Sequence, residues 1–328
     1  MIDAKKYALV DLHLHLDGSI SLQSARNLAK MQGIELCSDS ELLSKLCVSE
    51  SCRDLCEYLE KFDFPLSLLQ TREAIEEAVY TLCEELLNQG LVYAEIRFAP
   101  QLHCQKGLSQ QEAAEAAIKG MKRSNMLSTL ILCCMRGEGL YQKNIDTVNC
   151  AKSFLGHGVG AVDLAGAESL YSNEGFADVF EYARKIGVPF TIHAGEADGA
   201  LSVRSAIAMG ARRIGHGVRA YEDEDLLSEI AKKGIALELC PTSNLNTKVF
   251  ESLDEYPIEK FIRAKALITV NTDNMSVSNT TLAKEFEKLS AVYSFFEADL
   301  KNIVKTAIEV SFADPLTKKK AFDIVKNI

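Results

Sequence analysis

The stretch 7-YALVDLHLHLDGS-19 places two histidines one residue apart inside an apolar run. Read as a β-strand, it puts His13 and His15 on the same face, because successive side chains of a strand point to opposite sides. Asp17 follows directly. The chain has only six histidines in 328 residues. If this pair is ordinary core, nothing elsewhere need answer it. If the two are metal ligands, other segments must supply the rest of the set.

Seven further strand-like runs follow, at 91–98, 128–135, 159–165, 189–194, 211–216, 234–240 and 266–272. Most read as continuous apolar stretches, the pattern of strands covered on both faces. The segments between them have helical spacing. Residues 71–90 carry Ile75, Val79, Leu82 and Leu86 on one face and stop at Gly90. Residues 109–124 open with Ser109 and Glu112, a capping box. Residues 173–187 end at Gly187 before Val188-Pro189, and 223–234 begin acidic and end in lysines and Gly234, as a helix dipole favours. Each is long enough for a right-handed crossover.

Eight evenly spaced βα units predict an α/β fold, a (β/α)8 TIM barrel. A doubly wound open sheet is the rival, and the even spacing favours closure. We expect a single catalytic domain over 1–328. Residues 21–70 are expected to be a helical insertion after strand one that forms a lid, with Leu59, Phe62, Phe64 and Leu66 as its apolar underside. Extra helices are expected from residue 278 onward.

Apolar residues make up 47% of the chain, enough for a large core, and the net charge is −10. With no basic stripe, this composition argues against a nucleic-acid partner. The opening MIDAKKYALVDLH turns acidic before any long apolar stretch, so no secretory leader is expected. No run reaches the roughly 18 apolar residues of a membrane span. The ten cysteines are scattered and form no CxxC pair. Free buried thiols in a reducing cytoplasm suit them better than a zinc knuckle or a disulfide framework. Walker, GxGxxG and GxSxG spacings are absent, as is the HxE and PCxxC signature of cytidine-type deaminases.

The chemistry gathers at strand ends. His13 and His15 close the first strand, with Asp17 beyond; His193 ends PFTIH, with Glu196 three residues on; His216 ends RRIGH; Asp273 follows ITVNT. In a barrel these C-terminal ends converge on one pocket. One histidine on an apolar strand is usually a satisfied core residue, but four strands delivering polar groups at equivalent places are not explained that way. His13, His15, His193 and Asp273 then form a set suited to zinc or another borderline divalent ion. Such a site lowers the pKa of a bound water from about 15.7 toward roughly 7. Glu196 is placed to donate a proton, and His216 and Asp273 to orient the attacking water. His103 and His157 fall outside the pattern and read as structural or surface residues. On the residues alone this is a metal hydrolase attacking C=O or C=N, with amide hydrolysis and ring deamination both open.

Seven motifs in order, DLHLHLDGS (11–19), EIRFAPQLH (95–103), VDLAGAES (162–169), HAGEA (193–197), IGHGVRA (214–220), LELCPTSN (237–244) and VNTDN (270–274), give the chain a resemblance over nearly its whole length. It resembles the adenosine deaminases of the amidohydrolase superfamily. The resemblance implies one zinc ion per chain on His13, His15, His193 and Asp273. It implies hydrolysis of adenosine, with 2′-deoxyadenosine as a second substrate, to the inosine product and ammonia. Glu196 would protonate purine N1 as hydroxide attacks C6, and His216 would orient the hydroxide and stabilise charge. Asp17 would receive ribose hydroxyls, the Gly166 backbone would face N3, and Phe62 would belong to the apolar lid, with His15 also bordering the substrate. CPTSN would lie near the pocket as a structural feature.

One position departs. Where many members carry a second aspartate that grips N7, this chain has Asn274, whose neutral amide can donate directly. Adenine or an N6-substituted adenosine are therefore alternatives. An amidohydrolase cleaving amides or esters is a further one, although no bridging lysine stands in VDLAG. A barrel that had lost its chemistry would be expected to break one of the six residues His13, His15, His193, Glu196, His216 and Asp273. The implied partner is a small purine nucleoside, with no nucleic acid or membrane, and the chain is expected to be a monomer or weak homo-oligomer.

Overall fold

In the computed structural model, which describes residues 2–49 and 51–326, all eight expected strands form and all neighbours run parallel. β1 (Leu9–His15), β2 (Leu91–Phe98), β3 (Leu127–Met135) and β4 (Val159–Ala165) pair in that order. So do β5 (Thr191–Ala194), β6 (Arg213–His216), β7 (Ala236–Leu239) and β8 (Leu267–Val270). Two seams join the halves. Val162 N donates to Pro189 O at 3.0 Å between β4 and the approach to β5. His15 N donates to Asp273 O at 2.7 Å and Asp273 N to His13 O at 2.8 Å, between β1 and the segment after β8. The sheet is thereby closed into a (β/α)8 barrel, and its second seam is made by residues of the expected site.

Four short helices follow β1: α1 (Leu22–Met31), α2 (Asp39–Leu46), α3 (Leu55–Leu59) and α4 (Asp63–Leu68). Then α5 (Arg72–Asn88), α6 (Gln110–Arg123), α7 (Tyr141–Phe154), α8 (Ala177–Lys185), α9 (Ala200–Met209) and α10 (Glu224–Lys233) precede successive strands from β2 to β7. α11 (Pro241–Asn246) and α12 (Ile258–Arg263) lie between β7 and β8, and α13 (Leu282–Val292), α14 (Glu297–Val310) and α15 (Pro315–Val325) complete the chain. Local signals act as read. Glu112 N donates to Ser109 Oγ at 3.2 Å and Ser109 N to Glu112 Oε2 at 2.8 Å, closing the capping box of α6. The helix expected over 173–187 differs: Asn173–Phe176 is a 3₁₀ turn, and the α-helix starts at Ala177.

The insertion divides in two. Leu28, Leu42 and Leu46 of α1 and α2 belong to the main core. Cys52, Leu55 and Tyr58 form a small separate cluster with Val277, against which Leu59 and Phe62 pack. Phe64, expected on the lid's underside, instead packs on the main core with Lys45 Nζ 5.7 Å from its ring centroid. Its position two residues from Phe62 on a helical turn faces it the other way.

The barrel interior is charged below the site, which the apolar reading of the strands did not anticipate. Asp11, His13 and His15 alternate with Leu12 and Leu14, and Glu95 and Arg97 alternate with Ala94, Ile96 and Phe98; all are buried. The polar set points inward and bonds across the barrel, while the apolar set meets the helices. Arg97 reaches Asp163 Oδ2 and Glu238 Oε2, each at 2.8 Å, and Arg213 Nε reaches Glu238 Oε1 at 2.6 Å and its Nη2 reaches Glu95 Oε2 at 2.5 Å. Buried charges persist only when paired in this way.

Candidate active site and metal centre

The strand ends converge as expected. His13 Nε2, His15 Nε2, an Nε2 of His193 and a carboxylate oxygen of Asp273 come together, ligand atoms of all four residues lying within 4.8 Å of one another. Asp273 Oδ1 is 3.4 Å from both His13 Nε2 and His15 Nε2, and the Nε2 atoms of His15 and His193 are 3.2 Å apart. The side chains are directed from behind. Glu238 Oε2 is 2.8 Å from His13 Nδ1, Asp163 Oδ2 is 2.9 Å from His193 Nδ1, and Ser243 Oγ donates to Asp273 Oδ2 at 2.5 Å. Carboxylates on the rear nitrogens of His13 and His193 favour protons there and leave their Nε2 lone pairs facing the point that His15 Nε2 also faces. His13 Nε2 is buried with no hydrogen-bond partner among the described residues. Three imidazole lone pairs and a carboxylate aimed together fit a divalent cation and would be costly without one.

Backbone geometry supports this placement. His216 and Asp273 both take left-handed conformations, at φ 56° and 59°, where a side chain costs strain that functional sites commonly hold. Gly215 makes room for the cluster: a Cβ there would stand 3.1 Å from His13 Cε1 and 3.2 Å from His193 Nδ1.

His216 lies beside the cluster. Tyr256 OH donates to Asn244 Oδ1 at 3.1 Å, which turns the Asn244 amide nitrogen toward His216 Nδ1, also at 3.1 Å. Nδ1 therefore accepts, and the proton sits on Nε2. Burial holds His216 well below the ordinary imidazole range, so it is a neutral N–H donor. Its Nε2 is 3.5 Å from Glu196 Oε2. Glu196 also accepts from Thr247 Oγ1 at 3.3 Å. Burial, followed by the negative charges of Asp273 and Glu168, raises the Glu196 carboxyl well above the usual range. Asp273 is depressed despite its burial, because His13 and the neighbouring imidazoles favour its anion. Two carboxyls in one pocket are thus pushed apart, one toward proton donor and one toward ligand.

A cavity of about 290 Å³ opens over these groups. His15, Asp17, Phe62, Gly166, His193, Glu196, His216, Asp273 and Asn274 all line it, with Leu55, Leu59 and Leu66 above. The Phe62 ring centroid is 6.3 Å from that of His15. Asp17 Oδ1 and Asn274 Oδ1 are buried without partners among the described residues. Burial raises the Asp17 carboxyl to about 6. Among the described residues no lysine or arginine lines the cavity. His103 is a buried structural residue, its Nδ1 2.8 Å from Leu69 O, and His157 is exposed. The ten cysteines are unpaired.

The supporting residues Asp163, Glu238, Ser243, Asn244, Thr247 and Glu168 did not stand out from the sequence as site residues. Their signal was present for the acids: Asp163 and Glu238 each interrupt an apolar strand run, and a lone carboxylate there must be paired.

The family model for adenosine deaminase matches residues 8–328. The chain belongs to the adenosine deaminase family. Two relatives named adenosine deaminase support the assignment. The one from Haemophilus ducreyi is 44% identical, covering 96% of this chain and 94% of its own. The one from Enterococcus faecalis is 39% identical, covering 94% and 93%. Family membership makes the chain a hydrolase acting on carbon–nitrogen bonds. Solved structures agree on the fold. An adenine deaminase from Arthrobacter aurescens superposes with a TM-score of 0.87 at 23% identity, covering 98% of both chains. An amidohydrolase from Burkholderia ambifaria with bound zinc gives 0.87 at 20% identity, covering 99% of this chain and 91% of that one. An N6-mAMP deaminase from Arabidopsis gives 0.86 at 23% identity, covering 99% of each. Among the described residues no helix is long and apolar enough to cross a membrane.

Proposed function

We propose that this protein hydrolyses the 6-amino group of adenosine, and of 2′-deoxyadenosine, releasing ammonia. The carrying observation is that the buried Glu196 carboxyl lines the same small cavity as His15, His193 and Asp273, 3.5 Å from His216 Nε2, with His13 completing the ligand set behind them. His13, His15, His193 and Asp273 would hold one zinc ion, which when bound would lower the pKa of water and so supply a nucleophile at neutral pH.

The protein's own groups do the rest. Glu196 in its acid form donates to purine N1, which drains electron density from C6. Water oxygen adds at C6, held by the Nε2–H of His216 and by Asp273. Of the water's two protons, one replaces the proton given up by Glu196 and the other passes to the amino nitrogen; the C6–N bond then breaks, ammonia leaves, and C6 keeps the oxygen as a carbonyl. Asn274 donates its amide to N7, the Gly166 backbone faces N3, and Asp17 accepts from ribose hydroxyls. Phe62 and its neighbours cover the ring, with residues 21–70 as the insertion that carries them on a single catalytic domain.

The lining favours a nucleoside over a nucleotide. A phosphate would meet Asp17 and Asp63, with no lysine or arginine among the described lining residues to neutralise it. Adenine alone would leave the unpartnered Asp17 oxygen buried without a donor. The unpaired thiols suit a reducing cytoplasm, and the chain acts as a monomer or weak homo-oligomer.

The test is ammonia release by zinc-loaded protein from adenosine, 2′-deoxyadenosine, adenine, N6-methyladenosine and AMP. A kcat/KM of about 10⁴ M⁻¹s⁻¹ or more on adenosine is expected, with AMP far slower. Adenine or N6-methyladenosine as the preferred substrate would reassign the pocket around Asn274.

A further inference from the structure

Glu168 lies beyond β4 in VDLAGAES, is 2% exposed, does not line the cavity, and bears on the Glu196 carboxyl above only through its charge. Its carboxylate receives four consecutive backbone N–H groups. Oε1 accepts from Gly195 N at 2.7 Å, and Oε2 accepts from Glu196 N at 3.0 Å, Ala197 N at 2.7 Å and Asp198 N at 3.2 Å. Ser202 Oγ donates a fifth bond, to Oε1 at 2.6 Å. Among side chains an ionised carboxylate suits this cradle, because it offers two acceptor oxygens and no donor.

The cradle is itself anchored. Asn173 Nδ2 donates to Ser202 O at 2.8 Å and to Ser202 Oγ at 3.1 Å. Arg136 Nη2 donates to Asn173 Oδ1 at 2.7 Å and to His193 O at 2.6 Å. From the other side, Arg219 Nε donates to Glu196 O at 3.1 Å and Arg219 N to Gly195 O at 3.0 Å. Both peptide groups of Glu196 are thereby clamped, while its side chain meets Thr247 and His216.

We propose that Glu168 is a positioning residue that holds the 195–198 backbone so that the Glu196 carboxyl meets its proton acceptor. The role rests on the deaminase reading above. A loop end without this anchor would let Glu196 drift, and a displacement of about 1 Å costs roughly 10²-fold in rate. Metal binding is served by other residues, so it should be spared.

The test compares zinc-loaded wild type with Glu168→Gln, Glu168→Asp and Ser202→Ala. In E168Q an amide nitrogen must face N–H donors, and kcat on adenosine should fall about 10²-fold. KM should stay within a few-fold and zinc at one per chain. E168D, which keeps both acceptors on a shorter arm, should recover part of the loss, and S202A should lose a few-fold. Amide hydrogen exchange on wild type gives a readout that needs no variant: residues 195–198 should exchange slowly although they lie in a loop. Wild-type kcat in E168Q, loss of zinc in parallel with kcat, or fast exchange at 195–198 would each overturn the proposal. A wild type that releases no ammonia from adenosine fails the functional reading itself and removes this role with it.

Discussion

Glu238 Oε2 stands 2.8 Å from His13 Nδ1, and Arg97 Nη2 donates to the same oxygen at 2.8 Å. One carboxylate thus orients a proposed metal ligand and joins a charge network that runs through Arg213 to Glu95. Replacing Glu238 by Gln should weaken metal affinity about 10–100-fold, the usual cost of losing an outer partner of a ligating histidine. Glu238→Ala should also lower stability by about 3–5 kcal/mol, because Arg97 and Arg213 remain buried without their shared partner. Metal content after dialysis against a chelator and denaturant melts check both; an E238A protein as stable as wild type would contradict the network's role.

Glu196→Gln should bind one metal per chain and fold normally. Its kcat should fall by about 10²–10⁴, the usual contribution of a positioned acid. Metal analysis beside steady-state kinetics decides the matter, since loss of the metal would make Glu196 a ligand and not the donor.

The pH profile follows from the same group. Burial, then the charges of Asp273 and Glu168, lifts the Glu196 pKa, so its protonated form survives to higher pH than a free carboxyl. The proton-donating form is lost as pH rises through that raised pKa. kcat/KM for adenosine should therefore decline on the alkaline side, and this limb should vanish from the residual activity of E196Q. A wild-type profile that only climbs with pH would show Glu196 acting first as a base.

Gly18 and Asn274 make a paired prediction. A Cβ at residue 18 would overlap the Asn274 side chain, so Gly18→Ala should push that amide out of the pocket. Asn274→Ala removes it outright. Both should raise KM for adenosine several-fold, about the worth of one hydrogen bond, and N274A should leave the melting temperature nearly unchanged. Unaltered KM in both would place the amide outside the substrate's reach.

Much of this molecule was legible in its residues because local rules suffice for it. Ser109 with Glu112 starts a helix wherever it is placed, and Gly234 in the left-handed region (φ 64°) ends one. Eight apolar runs separated by helices leave a closed parallel barrel as the favoured packing. His13, His15, His193, His216 and Asp273 were found because a barrel brings strand ends together, so position along each strand predicts convergence. The partners behind them were hidden for the converse reason. Glu238 is more than 200 residues from His13 in the chain, and nothing in a strand such as ALEL says which histidine its glutamate will face.

The residues alone therefore determined the elements, their parallel order and the identity of the chemical groups, since periodicity, capping and ligand type are properties of short segments. Only the tertiary structure decided which nitrogen of His13 faces the proposed metal site, which of two acids burial favours in its protonated form, and that Phe64 turns away while Phe62 lines the pocket. Those outcomes depend on burial and on distances of about 3 Å between groups far apart in sequence, where a hydrogen bond or a desolvated charge is strong enough to choose between alternatives.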